Sequence, residues 1–305
     1  MNSQSEWLRK LTVLHPAVNN KLGRGNERIA PHKPLLLLCV LELAEQGKLP
    51  GHHLTLTADL VLRFQSFWRI VVTRWTTKPE VWMPFHHLST QGFWRPLTAD
   101  LKPSKHRSLT EVVEIEPSFL AAMADGEFRK RARAVLISQY FPAFEQVALG
   151  ILTGIDTKES EAAVREIKEQ AREYARRTAR DARFRIQVVS AYDFTCALTG
   201  YKVTTTKGTS IVDAAHIHQR KDSKNDDPRN GLALSKNAHW MFDEGLWSAT
   251  DNLNVIVAEE AFTDWSVDGV SLRNFQGRPL FFQHGCLLRP DHKHFAWHRE
   301  NRFRG

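Results

Sequence analysis

The sequence is poor in cysteine, and the few cysteines it has are poorly placed for cross-linking. Only three of the 305 residues are cysteine, at Cys39, Cys196 and Cys286, and no two of them form a Cys-x-x-Cys pair. This spacing excludes a disulfide-stabilised scaffold and a four-cysteine zinc ribbon. We therefore expect no structural zinc site.

Long apolar segments, repeats and low-complexity tracts are also absent. The longest apolar run, near residues 35–43, is interrupted by Glu42 and falls short of the roughly 18 residues that a membrane-spanning helix needs. The first ten residues, MNSQSEWLRK, lack the apolar stretch of a secretion signal. These absences predict a cytoplasmic protein that has no membrane partner.

What is present favours two folded domains and a polyanionic partner. A chain of 305 residues that is 42% hydrophobic and 10% aromatic can bury more than one core and does not resemble a disordered protein. The formal net charge is +8 and the isoelectric point is about 9.5. This balance is typical of proteins that bind nucleic acid.

Residues up to about 150 alternate between helical and extended patterns. Pro34 suits the first turn of an apolar helix that Gly47 would end. Thr57 can cap a second, amphipathic helix, ADLVLRFQSFWRIV. We predict that VWMPFHHL is extended, that QGFWRPL follows it, and that GEFRKRARAVLISQYF is a further helix.

Residues 157–185 have a different composition from the rest of the chain. The part at 157–183, TKESEAAVREIKEQAREYARRTARDAR, has very few large apolar residues and many opposite charges three and four residues apart. This pattern predicts a solvated helix. We interpret it as a linker helix between two domains; the alternative is a surface helix of one larger domain.

The segment from Cys196 to Val257 has the pattern strand, loop, strand, helix. Residues 210–216 alternate as a strand does, residues 219–229 are charged and rich in turn formers, and residues 231–234 form a second short apolar run. Ser235 can cap a helix through Phe242, which Gly245 would end. The pattern predicts a ββα unit.

This unit carries residues suited to phosphodiester hydrolysis, which needs a base to activate water and a cation to stabilise charge. His216 on the first strand is the candidate base, and His239 on the helix is the candidate metal ligand. Asn230 can tie the loop and orient His216, or touch the metal. Asp243 lies four residues after His239 on the same helical face and could be a ligand or support one.

The same stretch resembles the HNH (ββα-metal) endonuclease family, in its restriction-type branch. The resemblance rests on AAHI at 214–217, NGLAL at 230–234 and H-x-x-F-D-x-G at 239–245, and it covers roughly residues 183–301. It implies a DNA nuclease in which His216, Asn230 and His239 are the catalytic residues. A metal held by His239 and an acid is expected to be magnesium or manganese.

One position departs from the family pattern. Many HNH enzymes have an acidic residue or a histidine immediately before the base, where this chain has Ala215. Asp213, two residues earlier on the same strand face as Ala215, could supply the missing carboxylate if the strand bends. The alternative is that Asp213 is an ordinary acid at a strand edge. The candidate metal ligands are therefore His239, Asp243, Asn230 and Asp213.

A second resemblance lies in the N-terminal half. The runs ERIAPHKPLLLL and MPFHHL are similar to the sulfur-binding domain that is fused to HNH nucleases in McrA-like, modification-dependent restriction enzymes. That family recognises DNA in which sulfur replaces a non-bridging phosphate oxygen. Sulfur is larger and less strongly hydrated than oxygen, so a small apolar cup flanked by basic residues would favour it.

The resemblance implies which residues form this site. Pro84 would form the cup with Met83 and His87, although Met83 stands where the family often has tyrosine. The alternative is that Met-Pro-Phe packs in the core and that the basic residues are ordinary surface charges. The remaining candidates for contacts with DNA are Arg28, His32, Lys33 and Arg107.

Together these patterns predict an α+β protein with three parts. Residues 1–152 would be a mainly helical α+β domain that reads DNA, 153–182 a helical linker, and 183–305 the HNH nuclease domain. The partner would be double-stranded, phosphorothioate-modified DNA, and a homodimer would allow both strands to be cut. The alternatives are an HNH enzyme that reads methylated cytosine or an unmodified site, and a DNA-binding regulator whose nuclease domain is inactive.

Overall fold

The computed structural model describes residues 3–155, 169–267 and 271–305. The chain divides into two compact units, Met1–Ala182 and Arg183–Gly305. Residues 156–168 of the expected linker lie outside the described residues, and its remaining part from Glu169 onward is helical. Helices combined with small sheets confirm the predicted α+β class.

The first unit is mainly helical and contains one small sheet. The sheet is antiparallel, and its central strand β3 (Val112–Ile115) lies between β1 (His53–Thr55) and β2 (Trp94–Leu97). Glu114 on β3 therefore pairs with His53 on one side and Arg95 on the other. The elements are α1 (Ser3–Thr12), α2 (His32–Glu45), β1 (His53–Thr55), α3 (Ala58–Val71), α4 (Trp82–His87), β2 (Trp94–Leu97), β3 (Val112–Ile115), α5 (Pro117–Ala124), α6 (Gly126–Tyr140) and α7 (Ala143–Thr153).

Helix α2 forms the centre of the first unit. It is apolar on every side and is buried from Pro34 through Leu41, as expected for a helix without a polar face. Gly47 adopts a left-handed φ of 66°, which lets Lys48 N donate to Leu43 O at 2.9 Å and ends the helix. Thr57 accepts from Leu60 N at the start of α3. Both predicted helix ends are confirmed.

The prediction that VWMPFHHL is extended is wrong, because this segment contains helix α4. Pro84 is the third residue of α4, where the amide hydrogen that proline lacks would have no partner within the helix. Phe85 N donates to Val81 O at 3.1 Å and closes the first turn. Pro84 therefore lies inside a short helix and is buried.

The second unit contains the predicted ββα arrangement. Helix α8 (Glu169–Ala191) crosses the division between the units, and its C-terminal part contributes Val188 and Val189 to the core of the second unit. The strands form two antiparallel pairs. The elements after α8 are β4 (Val212–His216), α9 (Arg220–Ser223), β5 (Gly231–Ser235), α10 (Lys236–Asp243), β6 (Trp247–Ala249), β7 (Val255–Val257) and α11 (His292–Asn301).

Two details at the ends of α10 follow from its neighbours. Ser235 occupies the N-cap position, but its side chain makes no capping bond; its hydroxyl instead faces Cys196 Sγ at 3.7 Å. Gly245 ends the turn after α10 with a φ of 73°, as predicted.

No helix among the described residues is both long and apolar enough to cross a membrane.

His298, one of two buried histidines of α11, makes the stability of the second unit depend on pH. The His298 ring stacks on Phe242 with centroids 3.9 Å apart, and its nitrogens face Ser248 Oγ at 3.0 Å and Phe242 O at 3.2 Å. Burial lowers the pKa of His298 to about 4. In the unfolded chain the pKa of this histidine is about 6.5, as for an unperturbed histidine. Between these two pKa values the unfolded chain binds a proton that the folded chain does not, so acidification favours unfolding.

We expect the free energy of unfolding to fall as the pH drops from about 6.5 to about 4, and to fall less in His298→Gln. Urea unfolding of both proteins at neutral pH and at about pH 4.5 measures the difference. The exposed His292, on the same helix, provides the control His292→Gln, which should keep the wild-type slope. Equal slopes for all three proteins would contradict the assignment.

Candidate functional site

Strand pairing places His216 at the end of β4. Its partner across the ladder is Gly231, which directly follows Asn230. The His216 ring lies flat on Phe184 of α8, with centroids 3.8 Å apart and planes 6° apart. Phe184 is itself 2% exposed, so that a rigid aromatic surface fixes the plane of the histidine ring.

The edge of the His216 ring faces a carboxylate that the sequence analysis missed. His216 Nε2 lies 3.2 Å from Oδ1 of Asp226, and Arg220 Nε donates to the same oxygen at 2.7 Å. Both partners belong to the charged loop 219–229, whose composition signals a turn but does not show which acid folds back to the strand. The only signal in the sequence for Asp226 was that its loop directly follows the strand that carries His216.

Asn230 holds this loop together. Its side chain is fully buried; Oδ1 accepts from His218 N at 2.8 Å, and Nδ2 donates to His218 O at 2.9 Å and to Asn225 O at 3.1 Å. These bonds correspond to the expected loop-tying role. A role for Asn230 as a metal ligand stays a prediction, and its amide is already bonded to the loop.

Helix α10 presents an imidazole and a carboxylate side by side. His239 Nε2 lies 3.3 Å from Asp243 Oδ2, four residues along the helix. Burial raises the pKa of Asp243, while His239 and Arg302 act to lower it. One nitrogen and one oxygen donor suit a divalent cation whose remaining positions are filled by water or phosphate oxygens, so these residues fit the expected magnesium or manganese ion.

Asp213 lies away from these groups. The register of β4 with β5 runs without interruption from Val212 to His216, so the bend that would bring Asp213 towards the base is not found. Successive side chains alternate between faces, which puts Asp213 and His216 on opposite sides of the strand. Arg185 Nε donates to Asp213 Oδ1 at 2.5 Å. Its role as a metal ligand stays a prediction that this geometry does not favour.

The first unit contains a separate group that the sequence analysis also missed. His52, His53 and Glu114 each offer one ligand atom, all within 4.8 Å of one another, and they are the only such trio of His, Cys, Asp or Glu in the described part of the chain. Glu114 also forms an ion pair with Arg95. Only the cross-strand pairing brings Glu114 to His53, so no local pattern in the sequence points to this group.

The structure brings four of the expected sulfur-site residues together; we call Lys33, Met83, His87 and Arg107 the α4 cluster. Arg107 Nη1 donates to Met83 Sδ at 2.8 Å, and its guanidinium lies 4.9 Å from the Trp82 ring centroid. Burial lowers the pKa of His87, and the nearby charges of Lys33 and Arg107 lower it further. Lys33 Nζ donates to His15 O at 2.9 Å and to Thr90 Oγ1 at 3.0 Å.

The other sulfur-site candidates have different surroundings. His32 packs against Trp68 with ring centroids 4.7 Å apart, and burial lowers its pKa to about 4. Arg28 Nη1 donates to Asn20 Oδ1 at 3.3 Å. In the described part of the chain no hydrogen bond or ring contact joins either residue to the α4 cluster, and the buried Pro84 ring presents little surface for a ligand.

The packing around His216 leads to a prediction about Gly231. A Cβ at this position would lie 2.5 Å from Val188 Cγ2 and 2.8 Å from Phe184 Cζ, so any side chain must displace these two residues, one of which stacks on His216. We expect Gly231→Ala to lower the free energy of unfolding by about 1–3 kcal/mol, as overpacked cores do. Urea denaturation measures the change.

Gly126→Ala is the matched control, because its added Cβ would meet nothing closer than Arg129 Nη2 at 3.6 Å. Gly126 begins helix α6, and alanine favours a helix more than glycine does. Equal free energies of unfolding for the two variants would show that Phe184 and Val188 can move aside without destabilising the protein.

Comparisons with known proteins bear on this region of the chain. Residues 196–249 match the HNH endonuclease family. A solved structure described as a modification-dependent TagI restriction endonuclease is similar at 24% identity over 39% of this chain, with a TM-score of 0.31. The chain spans little more than a third of that protein, 37% of its length. No curated protein sequence matches. The second unit of this chain therefore contains a segment, residues 196–249, that is similar to HNH endonucleases.

Proposed function

We propose that this protein is a metal-dependent DNA endonuclease of the restriction type. The observation that carries the proposal is the geometry of the ββα unit: the strand end holds His216 against Phe184 and Asp226, and the following helix presents His239 beside Asp243. This is the segment that matches the HNH endonuclease family.

Each group has a role in phosphodiester hydrolysis. His216 takes a proton from the attacking water, since a neutral imidazole can accept a proton at about pH 7. His239 and Asp243 would hold a magnesium or manganese ion, which when bound stabilises negative charge on the phosphorus-bound oxygens. Asn230 fixes the loop that carries Asp226, so that these groups keep their positions as substrate arrives.

The competing function, a DNA-binding regulator with an inactive nuclease domain, would need none of this arrangement. Asn230 is buried with both of its amide atoms bonded to the loop. A buried amide is costly unless its bonds are made. The intact loop, base and helix pair together favour the enzyme.

We expect His216→Ala to reduce the rate of DNA cleavage by at least about 10²-fold, the lower range for loss of a general base, with DNA affinity little changed. Cleavage of a supercoiled plasmid with added magnesium or manganese measures the rate, and a gel shift measures the affinity. The exposed His284 provides the control His284→Ala, which should cleave as the wild type does. Undiminished cleavage by His216→Ala would remove His216 from the catalytic role.

We further propose that the first unit recognises phosphorothioate links in double-stranded DNA, through the α4 cluster. Two features support this. Arg107 holds its guanidinium against the soft thioether sulfur of Met83 and over the Trp82 ring, surroundings that favour a polarizable sulfur over a strongly hydrated oxygen. Lys33 and His87 add positive charge or donors beside it, as contact with neighbouring phosphates requires.

The same proposal includes a homodimer. One HNH site cuts one strand, so that a break in both strands requires either a second copy of the chain or two successive nicks.

The proposal on phosphorothioate predicts a difference in binding between two otherwise identical duplexes. His216→Ala protein should bind the duplex with one phosphorothioate link of defined stereochemistry at least tenfold more tightly, or about 1.4 kcal/mol, because the oxygen-containing duplex must lose more hydration. The added substitution Arg107→Gln should abolish the preference. A gel-shift titration measures each affinity.

Arg131→Gln is the matched control, since Arg131 is an exposed arginine on α6 of the same unit and its loss should leave the preference intact. Equal binding of both duplexes by the parent protein would exclude phosphorothioate recognition. Methylated cytosine or an unmodified sequence would then be the alternative target, and the endonuclease proposal would stand.

A further inference from the structure

The contact between Asp226 and His216 determines where the imidazole carries its proton. Asp226 Oδ1 lies 2.7 Å from Arg220 Nε and 3.2 Å from His216 Nε2. A guanidinium nitrogen can only donate a hydrogen bond, so this carboxylate oxygen acts as the acceptor towards Arg220. The same oxygen offers His216 a lone pair, and Nε2 must therefore be the donor.

A neutral imidazole has a single proton on nitrogen. If that proton lies on Nε2 and points at Asp226, then Nδ1 has the lone pair and is the basic atom. The bond made by one ring nitrogen thus decides the chemistry of the other.

The position of Asp226 is fixed from both sides along the chain. The preceding residue, Asn225, has its carbonyl bonded to Asn230 Nδ2 at 3.1 Å, and its own side chain accepts from Asp227 N at 2.9 Å. The Asp226 side chain is only 11% exposed. The buried Asn230 therefore acts on the ring indirectly, by holding the segment from which Asp226 extends.

Two contacts favour one orientation of the His216 ring. Phe184 fixes the ring plane by stacking at 3.8 Å, and Asp226 fixes the edge that carries Nε2. A half-turn of the ring about its attachment would preserve the stack but would lose the bond to Asp226. The bond to the carboxylate therefore favours the orientation with Nε2 towards Asp226.

We propose that Asp226, oriented by Arg220, is the positioning residue that keeps the His216 proton on Nε2 and makes Nδ1 the general base. The inference rests on the proposed nuclease function. Water gives a proton to Nδ1 as its oxygen forms a bond to phosphorus; the bond from phosphorus to the leaving oxygen breaks, and its electron pair stays on that oxygen, which takes a proton from bulk water. The imidazolium, stabilised by Asp226, returns its proton to solvent.

The test uses the full-length protein labelled with ¹⁵N in its histidines. Long-range ¹H–¹⁵N spectra at neutral pH report which ring nitrogen carries the proton, and the His216 signals are those lost in His216→Ala. We expect a single tautomer protonated on Nε2 in the wild type. Asp226→Ala should give a mixture of the two tautomers.

The kinetic readout separates positioning from binding. Asp226→Ala should lower kcat by about 10- to 100-fold, the usual cost of losing a residue that orients an active-site group, with KM for DNA little changed. Asp226→Asn keeps an acceptor oxygen and should recover part of both the tautomer and kcat, and it also serves if Asp226→Ala fails to fold. Asp227→Asn is the control: Asp227 pairs with Arg229 and caps the turn at 228–230, and asparagine caps equally well.

Two outcomes would overturn the inference. One is an Asp226→Ala protein that keeps the Nε2 tautomer and wild-type kcat; the other is a rise in KM at unchanged kcat, which would make Asp226 a DNA-binding residue. If the wild-type protein cleaves DNA and His216→Ala does not, either of these two results contradicts only the role of Asp226 and leaves the nuclease proposal standing. If the wild type cleaves no DNA, the nuclease proposal fails, and the tautomer spectra alone decide whether Asp226 sets the proton.

Discussion

The pairing of β4 with β5 is the interaction on which the candidate site depends. Its register sets His216 opposite Gly231, and the bond from Ile217 N to Asn230 O, at 2.9 Å, continues the ladder by one step. A slip of one residue would turn every side chain of β4 to the other face and would remove His216 from Phe184. The ladder thus determines both what the base touches and where the loop begins and ends.

The loop that this ladder closes is organised around one buried amide. Burying Asn230 without partners would cost about 1–3 kcal/mol, but three hydrogen bonds to backbone groups of His218 and Asn225 satisfy it. All three bonds are made between protein groups, and they hold the segment from which Asp226 extends.

The sequence predicted those parts of the fold that periodicity and local chemistry encode. Alternation and turn residues identified both strands and helix α10, and the four-residue spacing placed His239 beside Asp243. Contacts between distant segments were not predictable in this way: nothing local links Phe184 or Asp226 to His216. The extended prediction for the segment around Pro84 was wrong because a proline suits the first turn of a helix as well as it suits an extended piece.

Two arginines of the first unit, Arg74 and Arg107, differ in the kind of partner that they contact. Arg74 is nearly buried and makes two bonds of 2.7 Å to the Glu145 carboxylate; removing it would leave a buried charge unpaired, so its role is structural. Arg107 is exposed and contacts a thioether and an indole ring. A thioether is a weak acceptor, so an anionic phosphate or phosphorothioate that replaced it would strengthen the hydrogen bonding of Arg107. A DNA-binding site would require Arg107 to exchange its present partners for DNA, and weak partners such as Met83 and Trp82 make that exchange easy.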